Sequence, residues 1–176
     1  PAEPVHSGTI KFKPAGDSGV AAALADAFGR DSVEKAALAQ AFSQIKQGYD
    51  TEVAKEGKSN DLAAAMTFFI AANLTAFHQS ELPSDEAGES LYKLLSGSMP
   101  GTPEFAKLSN SEKQQMHDWL VCMGGFVIAG YMEAKQSGDQ ASLSNFSQIA
   151  DQSMRIVLGI EAGKLQFGPN GLTAVG

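Results

Sequence analysis

Residues 62–77 run for sixteen positions without a titratable side chain, and this stretch constrains the fold more than any other part of the chain. Leu62, Met66, Phe69, Ile70, Leu74 and Phe77 recur at three- and four-residue intervals, and Ala63, Ala64, Ala71 and Ala72 fill the remaining faces. A helix that is apolar nearly all round must be enclosed by protein, so it is expected at the centre of a helical core. It is shorter than the roughly 20 apolar residues that a bilayer span needs, and Thr67, Asn73 and Thr75 interrupt it. The rest of the chain can supply the surrounding layer. Of its 176 residues 26 are Ala, the best intrinsic helix former, against only 7 Pro.

Start and stop signals divide that layer. Residues 19–28 form an Ala-rich helix stopped by Gly29. Asp31 or Ser32, with Glu34 placed for a capping box, opens a second helix whose stripe is Leu38, Phe42, Ile45, Tyr49 and Val53. Gly57 breaks it, and Ser59 or Asn60 with Asp61 opens the central helix. Ser84 caps a shorter helix burying Leu91, Leu94 and Leu95, and residues 97–103, with two Pro and two Gly, are a loop. Ser109 and Glu112 form a second capping-box pair before a long helix bearing Met116, Trp119, Leu120, Met123, Val127, Tyr131 and Ala134. Gly124, Gly125 and Gly130 lie inside it, and each costs about 1 kcal/mol relative to Ala, so close packing must require them. Gly138 and Asp139 lead into a last helix with Leu143, Phe146, Ile149, Ala150, Met154 and Val157, closed by Gly159.

Two short segments read as extended. In residues 9–13 Ile10 and Phe12 alternate with Lys11 and Lys13, the period-two pattern of a half-buried strand. Residues 164–167 are the other, followed by the turn sequence Gly168-Pro169-Asn170-Gly171. A lone strand leaves backbone groups unpaired, so these two are expected to pair with each other. The expected architecture is mostly α: an antiparallel bundle of about six helices with a small two-stranded pairing of the N- and C-terminal segments. Residues 1–8 read as a disordered start, 9–168 as one helical domain, and 169–176 as a flexible tail. The helix of residues 62–77 should meet that of residues 116–131, with Gly124 or Gly125 at the closest approach. Asn73 then needs a core partner, for which Trp119 Nε1 or the Tyr131 hydroxyl is the candidate.

The chain resembles a family of uncharacterised bacterial exported helical domains, a domain of unknown function. The likeness rests on Asn60-Asp61-Leu62-Ala63 at the start of the central helix and on residues 108–114 (LSNSEKQ) at the start of the long one. Leu158-Gly159-Ile160 running into Leu165-Gln166-Phe167 completes it. The resemblance implies export and a mostly helical fold, with no activity, cofactor or functional residue to carry over.

Net charge narrows the function classes. Thirteen basic against twenty acidic residues give −7, the wrong sign for binding a phosphate backbone, so nucleic acid is not an expected partner. Residues 1–60 hold 7 basic and 8 acidic groups and residues 61–176 hold 6 and 12, so the acidity lies in the later part and steers basic partners there. Glu81, Asp85, Glu86 and Glu89 are the densest acidic stretch and the candidate interaction surface, unless they are a solvated helix start. Cys122, the one cysteine, lies in an apolar run and reads as a buried hydrophobe.

No catalytic signature stands out. His6, His78 and His117 lack a second ligand at metal spacing, and His117 beside Asp118 is expected to point around the helix rather than toward it. No nucleophile elbow, dinucleotide fingerprint or phosphate loop occurs, and no carboxylate pair is selected, although Glu81 and Glu104 are available. No cofactor or metal is therefore expected. The opening PAEPVHSG, without an initial Met, reads as the start of a mature exported protein, placing the chain in the periplasm or outside the cell, with the cytoplasm as the alternative. The expected function is a non-enzymatic binding or protein-interaction module with a partner in the cell envelope. The alternatives are a small-molecule or lipid carrier with a cavity lined by Met66, Met116, Met123, Met154, Phe69 and Phe77, and an unrecognised hydrolase.

Overall fold

The computed structural model describes residues 9–176, and the expected disordered start, residues 1–8, lies outside them. Seven α-helices are found among the described residues: α1 (Val20–Phe28), α2 (Ser32–Lys55), α3 (Leu62–His78), α4 (Asp85–Ser98), the single turn α5 (Pro103–Ala106), α6 (Asn110–Ser137) and α7 (Gln140–Leu158). Two short strands follow, β1 (Leu165–Gly168) and β2 (Gly171–Ala174). The fold is mostly α, as the sequence indicates.

The start signals act as the sequence reads them. Ser109 and Glu112 bond reciprocally, Glu112 N–H to Ser109 Oγ at 3.2 Å and Ser109 N–H to Glu112 Oε2 at 2.8 Å, satisfying two donors that the first turn of α6 would otherwise leave open. Asp31 accepts from Glu34 N–H at 2.9 Å, while the Glu34 carboxylate returns to Arg30 N–H, one residue earlier than a standard box requires. Asp139 accepts from both Ala141 and Ser142 N–H, and Gly159 ends α7 in the left-handed conformation at φ 67°.

The described residues separate into two compact units. The first comprises residues up to Met66 and Lys93–Cys122, and the second Thr67–Tyr92 and Met123–Gly176, so α3, α4 and α6 contribute residues to both. In the first unit α1 and α2 pack against each other, with Phe28 and Phe42 rings 6.5 Å apart. Its core includes Phe42, Leu62, Ala63, Ala65, Leu120, Val121 and Cys122, each 1% exposed or less.

The second unit is centred on a cluster of Ala76, Val127, Tyr131, Ala134, Leu143 and Ala150, against which Phe77, Phe126 and Phe146 pack. Here two of the helical glycines show their purpose. A Cβ on Gly124 would stand 3.2 Å from Phe69 Cα and 3.1 Å from the Phe68 ring, so α3 and α6 meet at the predicted glycine. A Cβ on Gly130 would overlap the Phe146 ring, 1.9 Å from Cζ. Leu94, expected inside, is 62% exposed. The buried stripe of α4 ends at Leu91: Leu94 follows Ala87 at i+7 on the same line yet is exposed, and Leu95 is half-buried.

The extended segments pair differently from the expectation. β1 and β2 form an antiparallel hairpin, Leu165 opposite Ala174 and Phe167 opposite Leu172, so the C-terminal tail supplies the partner that residues 9–13 were expected to supply. The turn Gly168-Pro169-Asn170-Gly171 brings that partner in over two residues, and closing so short a loop costs less entropy than pairing segments 150 residues apart. Residues 9–13 pair instead beside the start of α3, in an isolated bridge of Lys11 with Asp61. Phe12 N–H donates to Asn60 O at 3.1 Å and Leu62 N–H to Ile10 O at 2.9 Å. Asn60 adopts φ 52° at this junction. Phe12 is 8% exposed and faces inward as predicted.

Candidate functional site

Apart from Asp61, which caps the start of α3, the buried polar residues of the first unit lie on one face of α6. Asn110, Lys113, Gln114, His117 and Asp118 follow the i, i+3, i+4, i+7, i+8 spacing of a single stripe, and the last four are 6% exposed or less. Residues 9–18 cross this stripe as an extended strap. Lys113 Nζ donates to Thr9 O at 2.8 Å, and Lys13 N–H donates to Asn110 Oδ1 at 3.1 Å. Gln114 makes both of its amide bonds here, accepting from Ala15 N–H at 2.9 Å and donating to Gly16 O at 2.6 Å. Lys113 also lies over the Phe105 ring at 5.1 Å, and burial pushes its ammonium pKa down.

At the end of the stripe Asp118 gathers three donors. Ser18 Oγ donates to Oδ2 at 2.6 Å, His117 Nδ1 donates to Oδ1 at 2.9 Å, and Lys46 Nζ stands 3.6 Å from Oδ1. Burial raises the carboxyl pKa, but the His117 and Ser18 hydrogen bonds and the Lys46 charge outweigh it and hold Asp118 below the usual carboxylate range. Lys46 also bonds Asp50 at 2.6 Å; burial works against its charge, yet Asp50 and Asp118 together raise its pKa. The expectation that His117 points away from Asp118 is therefore wrong. Adjacent positions on a helix diverge, but both side chains are enclosed, and the carboxylate is the partner within reach of Nδ1. The His117 ring is held edge-on by Phe12 at 5.1 Å and Tyr49 at 5.7 Å, and its Nε2 has no hydrogen-bond partner.

Asp118 forms part of the floor of an open cleft of about 450 Å³ that Asp17, Ser18, Lys46, Asp50 and Thr51 also line. Cys122 reaches the same cleft, but burial and the nearby Asp118 push its thiol up to about 12, so it holds its proton at neutral pH. The arrangement does not resemble an acyl-transfer triad. The serine hydroxyl gives its proton to the carboxylate rather than to the imidazole, so no base activates it. What the cleft offers is charge, with three carboxylates around one ammonium.

The acidic stretch singled out from the sequence lies in the second unit. Glu81 pairs with Lys135 at 2.5 Å, which offsets its charge locally. Asp85 and Glu86 are exposed in the first turn of α4, where they complement the helix dipole, and Glu89 is half-buried one turn on. His78 Nε2 donates to Leu165 O at 2.7 Å, and Tyr131 Oη donates to Ser80 O at 2.9 Å, so neither waits for a ligand. Asn73 finds neither Tyr131 nor Trp119. Its amide donates to Phe69 O at 2.7 Å within α3, leaving Oδ1 buried without a partner.

The methionines and phenylalanines of the carrier reading are largely packed: Met66, Met123, Met154 and Phe69 are 5% exposed or less. Met116 and Trp119 instead border an open groove of about 480 Å³ with Ser18, Val20 and Glu112. Glu104 is exposed on α5, and His6 lies outside the described residues. Among the described residues no group of three His, Cys, Asp or Glu side chains is placed to hold a metal ion, and no helix is long and apolar enough to cross a membrane.

The sequence reading passed over Ser18, Lys46, Asp50, Lys113 and Gln114. The polar stripe of α6 is visible as a period in the sequence, but a polar stripe ordinarily faces water, and nothing local signals that residues 9–18 cover this one. Comparison with curated proteins and with solved structures gives no match. A family model does match, over residues 2–174, and the chain belongs to that family, described as a family of unknown function (DUF6683).

Proposed function

We propose that this chain is a non-enzymatic binding module that takes a basic group of a protein partner into the cleft beside Asp118. The observation carrying this reading is the lining of the cleft, in which Asp17, Asp50 and Asp118 outnumber Lys46 by three carboxylates to one ammonium. A lysine or arginine side chain entering there gains paired hydrogen bonds to carboxylates in a partly desolvated setting, where such bonds are stronger than at an open surface. The commitment of Ser18 to Asp118, and the protonated state of Cys122, support binding over catalysis. The net charge of −7 adds long-range attraction for the same class of partner. The family resemblance supports a place for this module in the cell envelope, which fractionation of the source cell tests directly.

An NMR titration tests the binding reading. An arginine-rich peptide is expected to shift the amide signals of Lys46, Gln47, Asp50 and Thr51, with the effect fading as salt is raised, while a glutamate-rich peptide of equal length leaves them in place. The double variant Asp17→Asn, Asp50→Asn should abolish the shifts without unfolding the protein, since Asp17 is exposed and Asp50 only half-buried. Shifts confined to Asp85 and Glu86 would move the site to the second unit, and no shifts at all would end the proposal.

A further inference from the structure

The strap is held in an unusual way for a packed segment. Four of its five side-chain tethers to α6, those through Asn110, Lys113 and Gln114, end on main-chain atoms of residues 9–16, and the fifth is the Ser18 hydroxyl. The start of α3 adds two more main-chain bonds, to Ile10 and Phe12, and Lys11 Nζ reaches Gly57 O at 3.0 Å. Of residues 9–17 only Phe12 is buried, with Ile10 half-buried beside it. The face of α6 thus works as a groove for an extended backbone with one aromatic anchor, and residues 9–16 are its ligand, supplied by the same chain.

The join between this ligand and the rest of the unit is built from glycines. Gly16 at φ 74° and Gly19 at φ 75° both adopt left-handed conformations, with open space around each, and Asp17 Oδ1 closes the turn by accepting Gly19 N–H at 2.9 Å. Rotation at these two residues swings the strap away from its groove and requires no repacking of α1.

We propose that the groove on α6 also accepts residues 9–16 of a second copy of this chain, giving a strap-exchanged dimer in which each protomer completes the other's Asn110–Gln114 face. The second copy is the occupant that the structure supports, because its fit is the one already seen. Every bond is remade across the dimer, and only the turn at residues 16–19 opens. Exchange is an intermolecular version of a contact made through a short tether, whose effective concentration is on the order of millimolar, so the dimer should grow in as the protein approaches about 1 mM. The turn that opens carries Asp17 and Ser18 of the cleft, but the exchange requires no ligand there.

The experiment joins strap and groove covalently in the full chain, because weakening a contact that is the same in the closed monomer and in the exchanged dimer shifts neither against the other. Lys13 N–H lies 3.1 Å from Asn110 Oδ1, so Lys13→Cys and Asn110→Cys are introduced into separate chains, each with Cys122→Ser. Equal amounts are mixed at about 1 mM, where the exchanged dimer is expected, and a mild oxidant is added. Exchange predicts a disulfide joining residue 13 of one chain to residue 110 of the other, identified by mass spectrometry with one chain isotopically heavy, and a wild-type dimer in multi-angle light scattering at the same concentration. Val33→Cys, at a position 78% exposed, replaces Lys13→Cys as the control for random collision. Circular dichroism establishes that each variant is folded, and a pair that is not folded is replaced by Ala15→Cys with Gln114→Cys. The proposal is overturned if the wild type stays monomeric at every concentration, or if the disulfide between residues 13 and 110 of different chains forms no faster than the control.

Discussion

Replacing Gly130 by Ala should have opposite effects depending on what stands at position 146. In the native protein the added Cβ would lie 1.9, 2.3 and 2.5 Å from three atoms of the Phe146 ring, where carbon atoms rest at about 3.5–4.0 Å. The ring must therefore retreat by about 1.5 Å, and its edge-on contact with Phe126, at 5.6 Å, resists the movement. Overpacking of this kind costs about 1–3 kcal/mol. Against it stands the helix preference for Ala over Gly, about 1 kcal/mol. The net expectation is a loss of about 1 kcal/mol, or about 2–4 °C in Tm for a chain of this length. In a Phe146→Ala background the obstruction is gone and only the helix preference remains, so Gly130→Ala should stabilise by about 1 kcal/mol. The coupling between the two positions is then about 2 kcal/mol, well above the few tenths expected for independent sites. Urea unfolding followed by far-UV circular dichroism on the four proteins of the cycle measures it. If Gly130→Ala moves the midpoint in the same direction and by the same amount in both backgrounds, Phe146 is not what keeps position 130 a glycine.

Three further outcomes follow from features of the first unit. Gly29 has an ordinary φ of −79°, but its Cβ would stand 2.9 Å from Lys35 Cα and from Ala25 O, backbone atoms that cannot step aside. Gly29→Ala should therefore cost about 1–3 kcal/mol in urea unfolding, with no gain in any background that alters only the Lys35 side chain. Asp118 has a folded pKa below its unfolded value, so its stabilisation is present above the ordinary carboxylate range near 3.9 and is lost as pH falls through the lower folded value. Asp118→Asn should destabilise at neutral pH, and the gap from the native protein should narrow on acidification into that window; a gap that stays constant with pH would refute the assignment. Cys122, buried and with its thiol at about 12, should react with a thiol reagent only at the rate at which the first unit opens, so labelling should accelerate sharply in urea. Rapid labelling without denaturant would contradict its burial.

What the sequence reveals and what it hides divide along a physical line. The helices were legible because each is specified locally: Ser109 with Glu112, Asp139 and Gly159 act within a few residues, and the apolar run of α3 requires burial wherever the chain goes. The glycines of α6 were legible as a cost needing a reason, and Gly124 and Gly130 supply it. Pairing was not legible, because two extended segments and a tail allow several matches, and the shortest loop decided between them. The candidate site was hidden for a related reason. Lys46 and Asp50 show in the sequence only as an i, i+4 pair on α2, the commonest decoration of a solvated helix, and Ser18 meets Asp118 across 100 residues. His117 and Asp118 were misjudged because spacing along a helix describes where side chains start, not where enclosure sends them.

The manner in which α6 holds the strap also predicts how the two segments tolerate mutation. Asn110, Lys113 and Gln114 recognise carbonyl groups and the amide groups that every amino acid other than proline possesses, so residues 9, 13 and 15 are free to drift in identity while the positions that grip them are not. A saturation scan should therefore be lopsided: permissive along the strap apart from Phe12, the left-handed glycines and substitutions to proline at 13 and 15, and restrictive at 110, 113 and 114. Homologues would then diverge most in the part of the sequence that lies closest to the candidate site, and a search that weights conserved strings would lose the strap first while the polar stripe on α6 remained recognisable.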